Sequence, residues 1–233
     1  MILAERLSFQ LLWILGTTQL RLSTGRATRT FPTSGPSAAI HHTAIVRLPL
    51  SVAAALSPAL ERLRQYSPQH YYYPSDTMHM TVYNLDGFLP NVANAADCIA
   101  ELRAVIASHP PFDLTARGLN VSPTTVFAQI VPHDRTLRSL RRHLRGTTKR
   151  GVFQPGDVSL FGAAARAWLA HANVVRFSGR VTAEFLDELS HFRQTQFGRW
   201  TVREVELVQT DKLLSREGTQ VIERIPLAPP GAL

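Results

Sequence analysis

Apolar positions along this chain fall into short blocks whose period switches between two and about 3.6. Extended apolar runs at 44–49, 78–85, 112–121, 125–131, 170–177, 201–210 and 220–227 predict strands. Helical spacing predicts helices over 50–65, 92–108, 135–145 and 182–192. In the first of these, Val52, Leu56, Leu60 and Leu63 make one stripe; the second is ended by His109-Pro110-Pro111, and Asp134 is placed to cap the third. The runs at 112–121 and 125–131 read as an antiparallel pair, and the last two as a closing hairpin. Residues 146–156 read as a polar loop, and 160–169 as either a short alanine-rich helix or a loop. Two similar strand–helix–strand halves predict an α+β domain of two lobes with a cleft between them.

The opening of the chain has a different pattern. Residues 7–20 are uncharged, but that length is short of the ~20 apolar residues a membrane span needs. Glu5 offsets Arg6, and no small-residue cleavage site follows, so the segment reads as a helix packed on the domain surface, without stable membrane insertion. Its length falls within that of a signal-peptide core, so secretion is one alternative and a start placed upstream of the true one is another. Residues 23–40, rich in Ser, Thr, Gly, Pro and Arg, read as a linker or arm. The expected organisation is therefore a helix, arm and linker over 1–40 and a folded unit over 41–233.

Two strings in the folded unit match each other: His79-Met80-Thr81-Val82 and His171-Ala172-Asn173-Val174. On a strand, alternate side chains share a face. His79 and Thr81 therefore point one way, and His171 and Asn173 do the same on the second strand, while Met80, Val82, Ala172 and Val174 point into a core. Two imidazoles with ordinary pKa values near 6.5 can serve as general base and general acid. Thr81 and Asn173 can donate to the oxygens of a phosphate, where charge sits in the transition state. Arg176, by the same alternation, is assigned to the Ala172/Val174 face, away from the phosphate.

These paired strings resemble the motifs of the two-histidine (2H) phosphoesterases, the group that includes 2′-5′ RNA ligase-like proteins and cyclic nucleotide phosphodiesterases. The segment 119–146 and the ending 200–227 are also similar to that family, and the likeness covers roughly 41–230. The resemblance implies two pseudo-symmetric lobes of antiparallel sheet with outer helices and an active-site cleft between them, one motif to each lobe. It further implies His79 and His171 as catalytic residues and Thr81 and Asn173 as phosphate ligands. Asn173 departs from the Thr or Ser usual in the family; its amide still donates a hydrogen bond, with a different reach.

Composition narrows the ligand class. The charge of +8 and a pI near 10.5 favour polyanionic partners. Arg135, Arg138, Arg142 and Arg145 form one stripe on the helix 135–145, opposite Leu137, Leu140 and Leu144. Such a stripe is either a solvated face or a contact for an RNA backbone, with Arg138, Arg142 and Arg145 as the candidates. Tyr73, in the run Tyr71-Tyr72-Tyr73 ahead of the first motif, is a candidate for stacking on a base. Cys98 is the single cysteine, so no internal disulfide forms and a reducing, cytoplasmic setting is expected. No Cys/His cluster has zinc spacing and no carboxylate cage is placed for Mg²⁺, so no cofactor is expected. The expectation is a monomeric, metal-independent phosphodiesterase opening 2′,3′-cyclic phosphates of RNA ends or small nucleotides. The alternative is a nucleotide- or RNA-binding protein of the same fold with weak or no turnover.

Overall fold

The computed structural model describes residues 3–27, 40–86, 89, 95–148 and 169–229. Nine strands lie in one antiparallel sheet: β1 (His41–Arg47), β2 (Tyr71–Tyr72), β3 (His79–Asn84), β4 (Phe112–Ser122), β5 (Thr125–Pro132), β6 (Ala170–Arg176), β7 (Gln196–Val202), β8 (Glu204–Thr210) and β9 (Gln220–Pro226). Five helices accompany them among the described residues: α1 (Leu3–Leu22), α2 (Leu50–Tyr66), α3 (Ala95–Ala107), α4 (Thr136–Thr148) and α5 (Ala183–Ser190).

The strand order is β7-β4-β5-β6-β3-β1-β8-β9, with the short β2 paired to β6. It divides into two four-stranded halves, β3-β1-β8-β9 and β6-β5-β4-β7, which meet where β3 pairs β6 at Met80 and Ala172. Each half carries one motif strand, and both motif strands sit at that junction. The helices exchange between halves. The helix that follows β1, α2, packs on β7 and α5 in the second lobe, while the helix that follows β5, α4, packs on α3 and β3 in the first. This reciprocal crossing gives the α+β, two-lobed, pseudo-symmetric architecture.

The helices form where the apolar period demands. Val52, Leu56, Leu60 and Leu63 of α2 are all buried, as are Leu137, Leu140 and Leu144 of α4. Asp134 Oδ1 accepts the Thr136 N–H at 2.8 Å, and Thr182 Oγ1 accepts the Phe185 N–H at 3.2 Å, satisfying first-turn donors that have no partner inside a helix. The hairpins β4–β5 and β8–β9 pair as their sequence predicts.

The chain departs from that prediction at the short strand β2, which no apolar run announced, and around Arg203. The run read as a single strand over 201–210 is divided: Thr201 and Val202 end β7, which pairs β4, and after Arg203 the chain continues as β8, which pairs β1 in the other lobe. Alternation marks an extended backbone but carries no information about which strand it hydrogen-bonds. Residues 149–168, including most of the segment 160–169, lie outside the described residues, as do 28–39 of the arm. The first helix packs along β4, leaving Leu7, Leu11, Ile14 and Leu15 exposed. No helix among the described residues is long and apolar enough to cross a membrane.

Candidate active site

The geometry of the site follows from one register. Met80 faces Ala172 across the junction of the lobes, and both are fully buried on the core side. Continuing this antiparallel register puts His79 across from Asn173 and Thr81 across from His171, all on the opposite face. Directly opposed Cβ atoms lie about 4.5–5.5 Å apart and diagonal ones about 7–8 Å. The two imidazoles thus form one diagonal of a four-residue square, and the two donors form the other. The electrostatics agree, since His79 contributes to the depression of the His171 pKa.

Each ring is anchored two residues upstream. His79 Nδ1 lies 2.9 Å from the Thr77 carbonyl, and the His171 ring hydrogen-bonds the Leu169 carbonyl. A carbonyl only accepts, so in each ring the anchored nitrogen carries the proton and the other is left with its lone pair. Burial pulls both pKa values down to about 4, with Arg47 and Arg176 adding to the effect at His79, and Arg141 and Arg176 at His171. Both imidazoles are therefore neutral at pH 7 in the ligand-free protein. On the β5 side of Asn173, Thr125 Oγ1 lies 3.3 Å from Asn173 Oδ1 and donates to the Val175 carbonyl at 2.5 Å. Thr81 is exposed.

Three guanidinium groups surround this square. Arg47 is paired with His79 in the β1–β3 register and is held by the buried Glu206 at 2.9 Å. Arg141 of α4 donates to the carbonyls of Thr81 at 2.9 Å, Val82 at 3.0 Å and Leu169 at 3.4 Å, bridging the two motif strands. Burial lowers its pKa to about 10, so it remains charged. Arg176 donates to Tyr73 Oη at 3.3 Å and acts electrostatically on both histidines.

Arg176 corrects the simple alternation. Between Val126/Phe127 of β5 the partner on β6 jumps from Val175 to Asn173, so Val174 is an extra residue in the strand. Such a β-bulge reverses the facing of everything beyond it. Val174 and Val175 are both fully buried, and Arg176 returns to the side of His171 and Asn173. Two consecutive apolar residues after Asn173 are the sequence signal of that reversal. Arg141 stands outside the arginine stripe, so the stripe does not predict its role; Leu137 and Leu144, four before it and three after, mark it as an arginine on the buried side of α4.

The remaining candidates are placed as follows. Tyr73 is 3 % exposed and meets the His79 ring edge-on at 6.0 Å, so it is a wall of the site and presents no open face for a base. Arg138, Arg142 and Arg145 are exposed on α4, and Arg142 donates to Ser139 Oγ at 3.3 Å. Among the described residues, no group of three or more His, Cys, Asp or Glu side chains is placed to hold a metal ion.

The arrangement can hold a tetrahedral anion between two proton carriers. Solved structures with the same fold include TT0787 of Thermus thermophilus, at 19 % identity over 82 % of this chain and 99 % of that one, with a TM-score of 0.59. They also include E. coli LigT complexed with ATP, at 18 % identity over 81 % and 98 %, TM-score 0.52. The conserved protein of unknown function ATU0111 from Agrobacterium tumefaciens is similar at 14 % identity over 86 % and 90 %, TM-score 0.53. No curated protein matches the chain significantly. The sequence pattern of the 2′-5′ RNA ligase superfamily matches residues 49–213. That match spans both histidine motifs and most of the strands that position them, and the chain belongs to the 2′-5′ RNA ligase superfamily of two-histidine phosphoesterases.

Proposed function

We propose that this protein opens 2′,3′-cyclic phosphates, at RNA ends or on small nucleotides, by metal-independent hydrolysis. The observation that carries the reading is a pair of imidazoles, each anchored through one nitrogen to a backbone carbonyl, on a face ringed by Thr81, Asn173 and Arg176. A cyclic phosphodiester seated there is held by the hydroxyl, the amide and the guanidinium. One imidazole takes a proton from water as its oxygen bonds to phosphorus. The other, protonated when the anion binds beside it, gives its proton to the departing ribose oxygen, and a phosphomonoester results. The proton count balances, with one taken from water and one delivered to the ribose. Water enters and no redox partner is needed.

We place the reaction in the cytoplasm, in keeping with the single, buried Cys98, and expect a monomer. The experiment is hydrolysis of 2′,3′-cyclic mononucleotides by wild type, His79→Ala and His171→Ala. Each substitution is expected to lower kcat by about 10²–10⁴-fold, and activity is expected to survive EDTA. Loss of activity in EDTA with recovery on Mg²⁺ or Mn²⁺ would overturn the mechanism. Phosphate or nucleotide binding without turnover by wild type would instead identify a binding protein.

A further inference from the structure

On the second lobe, the face of the two histidines continues past His171 as a mixed surface of amides, arginines and Phe127 that α1 covers. The β5–β6 register sets Gln129 opposite His171 and Phe127 opposite Asn173, and the β4–β5 register sets Asn120 opposite Phe127. All of these side chains therefore share the face of the two motif residues. The other face of the same strands is apolar, with Leu119, Val121, Val126, Ala128 and Ile130 at 1 % exposure or less. Burial of hydrogen-bonding groups costs free energy unless each is satisfied. Here Asn120 is buried, and its amide donates to the Phe9 carbonyl of α1 at 2.8 Å. A cavity of about 40 Å³ remains beneath the helix, with Arg117, Asn120, Gln129 and Arg193 in its lining. Amides and guanidinium groups lining one cavity beside the motif strands suit a ribose-phosphate chain.

The helix reaches the catalytic group itself through packed rings. Phe9 packs with Phe127 and Leu169, all buried, with Leu12 alongside. Phe127 meets the His171 ring edge-on at 5.3 Å, and Leu169 is the residue whose carbonyl anchors that ring. Further along, Gly16 comes so close to β4 that a Cβ there would overlap the Val121 carbonyl oxygen. Arg193 lies 4.6 Å over the Trp13 ring. Leu20 is fully buried, and Gly25 closes the segment by accepting from Val181 N–H at 2.9 Å. The family match begins at residue 49, beyond α1.

We propose that α1 is a size filter. It occupies the second lobe's share of the substrate cleft and restricts the site to a single nucleotide or a very short end, excluding the body of a longer RNA. The proposal rests on the phosphodiesterase reading for its substrate, and the test separates the two. Wild type, Phe9→Glu and Gly16→Ala are compared on a 2′,3′-cyclic mononucleotide and on a short oligoribonucleotide ending in the same cyclic phosphate. Phe9→Glu puts a charge into the ring cluster. Gly16→Ala keeps the helix, since alanine favours it, but denies the close approach to β4.

The ratio of kcat/KM for oligonucleotide over mononucleotide is expected to rise about tenfold in both variants, the size of one additional base or phosphate interaction. Adding Arg117→Glu to Phe9→Glu is expected to reverse that gain. Circular dichroism establishes that each variant is folded, and Phe9→Glu decides the matter if Gly16→Ala is not. An unchanged ratio in a folded Phe9→Glu protein overturns the filter while leaving the phosphodiesterase reading intact. If wild type turns over neither substrate, that reading fails. The filter is then judged by the affinity of a 3′-phosphorylated oligoribonucleotide, which must rise about tenfold in Phe9→Glu.

Discussion

Asn173 is the residue at which this site differs from the motif it resembles, and its neighbours explain how it fits. Thr125 Oγ1 lies 3.3 Å from Asn173 Oδ1, and in the proposed reaction the Asn173 amide N–H₂ donates to the phosphate. Asn173→Thr is expected to keep or raise turnover of simple cyclic nucleotides, and Asn173→Ala to lower it by about 10–10²-fold, as for loss of one oxyanion donor. Equal rates for wild type and both variants, all above a His79→Ala/His171→Ala blank, would remove Asn173 from phosphate binding. Arg141 acts differently. Among the described residues its hydrogen bonds go to the backbone carbonyls of Thr81, Val82 and Leu169, so we regard it as a positioning residue. Arg141→Met leaves three carbonyls without their donor and is expected to lower kcat by roughly tenfold or more through misplacement of His171. It also removes a positive charge that depresses the His171 pKa, so the pH profile of the variant should move to higher pH. A profile that stays in place, with only the melting temperature lowered, would make Arg141 a structural residue alone.

At the level of elements, α4 has three jobs on three sides. Its leucines bury it against the first lobe, Arg141 ties the junction of the motif strands, and Arg138, Arg142 and Arg145 remain exposed. Exposed arginines in a row attract a phosphate backbone chiefly by releasing counterions. Reversing all three to glutamate is expected to weaken oligoribonucleotide binding. The slope of log affinity against log salt should become shallower by about one for each phosphate that is no longer neutralised. An unchanged slope would identify the stripe as a solvated helix face. The bulge at Val174 is the other decisive element-scale feature, because it brings Arg176 beside the histidines while keeping both valines in the core.

The whole molecule holds three histidines neutral by burial. His70, His79 and His171 each have a pKa near 4, against 6.5 in an unfolded chain. His70 Nδ1 accepts from Ser178 N–H at 3.3 Å, an arrangement that protonation would break. Between these two values the unfolded chain binds more protons than the folded one. Stability is therefore full above about pH 6.5 and declines as pH falls toward about 4. The midpoint of urea unfolding should be lower at pH 5 than at pH 7. Inorganic phosphate should recover part of the difference, because an anion between His79 and His171 favours their protonated forms. His70→Phe should recover another part, independent of phosphate. A midpoint that does not vary across this range would show that the three rings are not held neutral together.

The sequence by itself determined the two-lobed α+β class, the hairpins, the inward stripes of α2 and α4 and the facing of His79, Thr81, His171 and Asn173. Each of these depends on local periodicity or on one cap, and periodicity acts within a single element. Tertiary structure alone decided what lies next to what. It divided the extended run around Arg203 between two lobes, since a strand's partners come from distant parts of the chain. It reversed Arg176 through a bulge defined only against β5. It also placed Arg141 across both motif strands and set α1 on the face that carries the two histidines. These are contacts between elements far apart in sequence, and no pattern within either element encodes them.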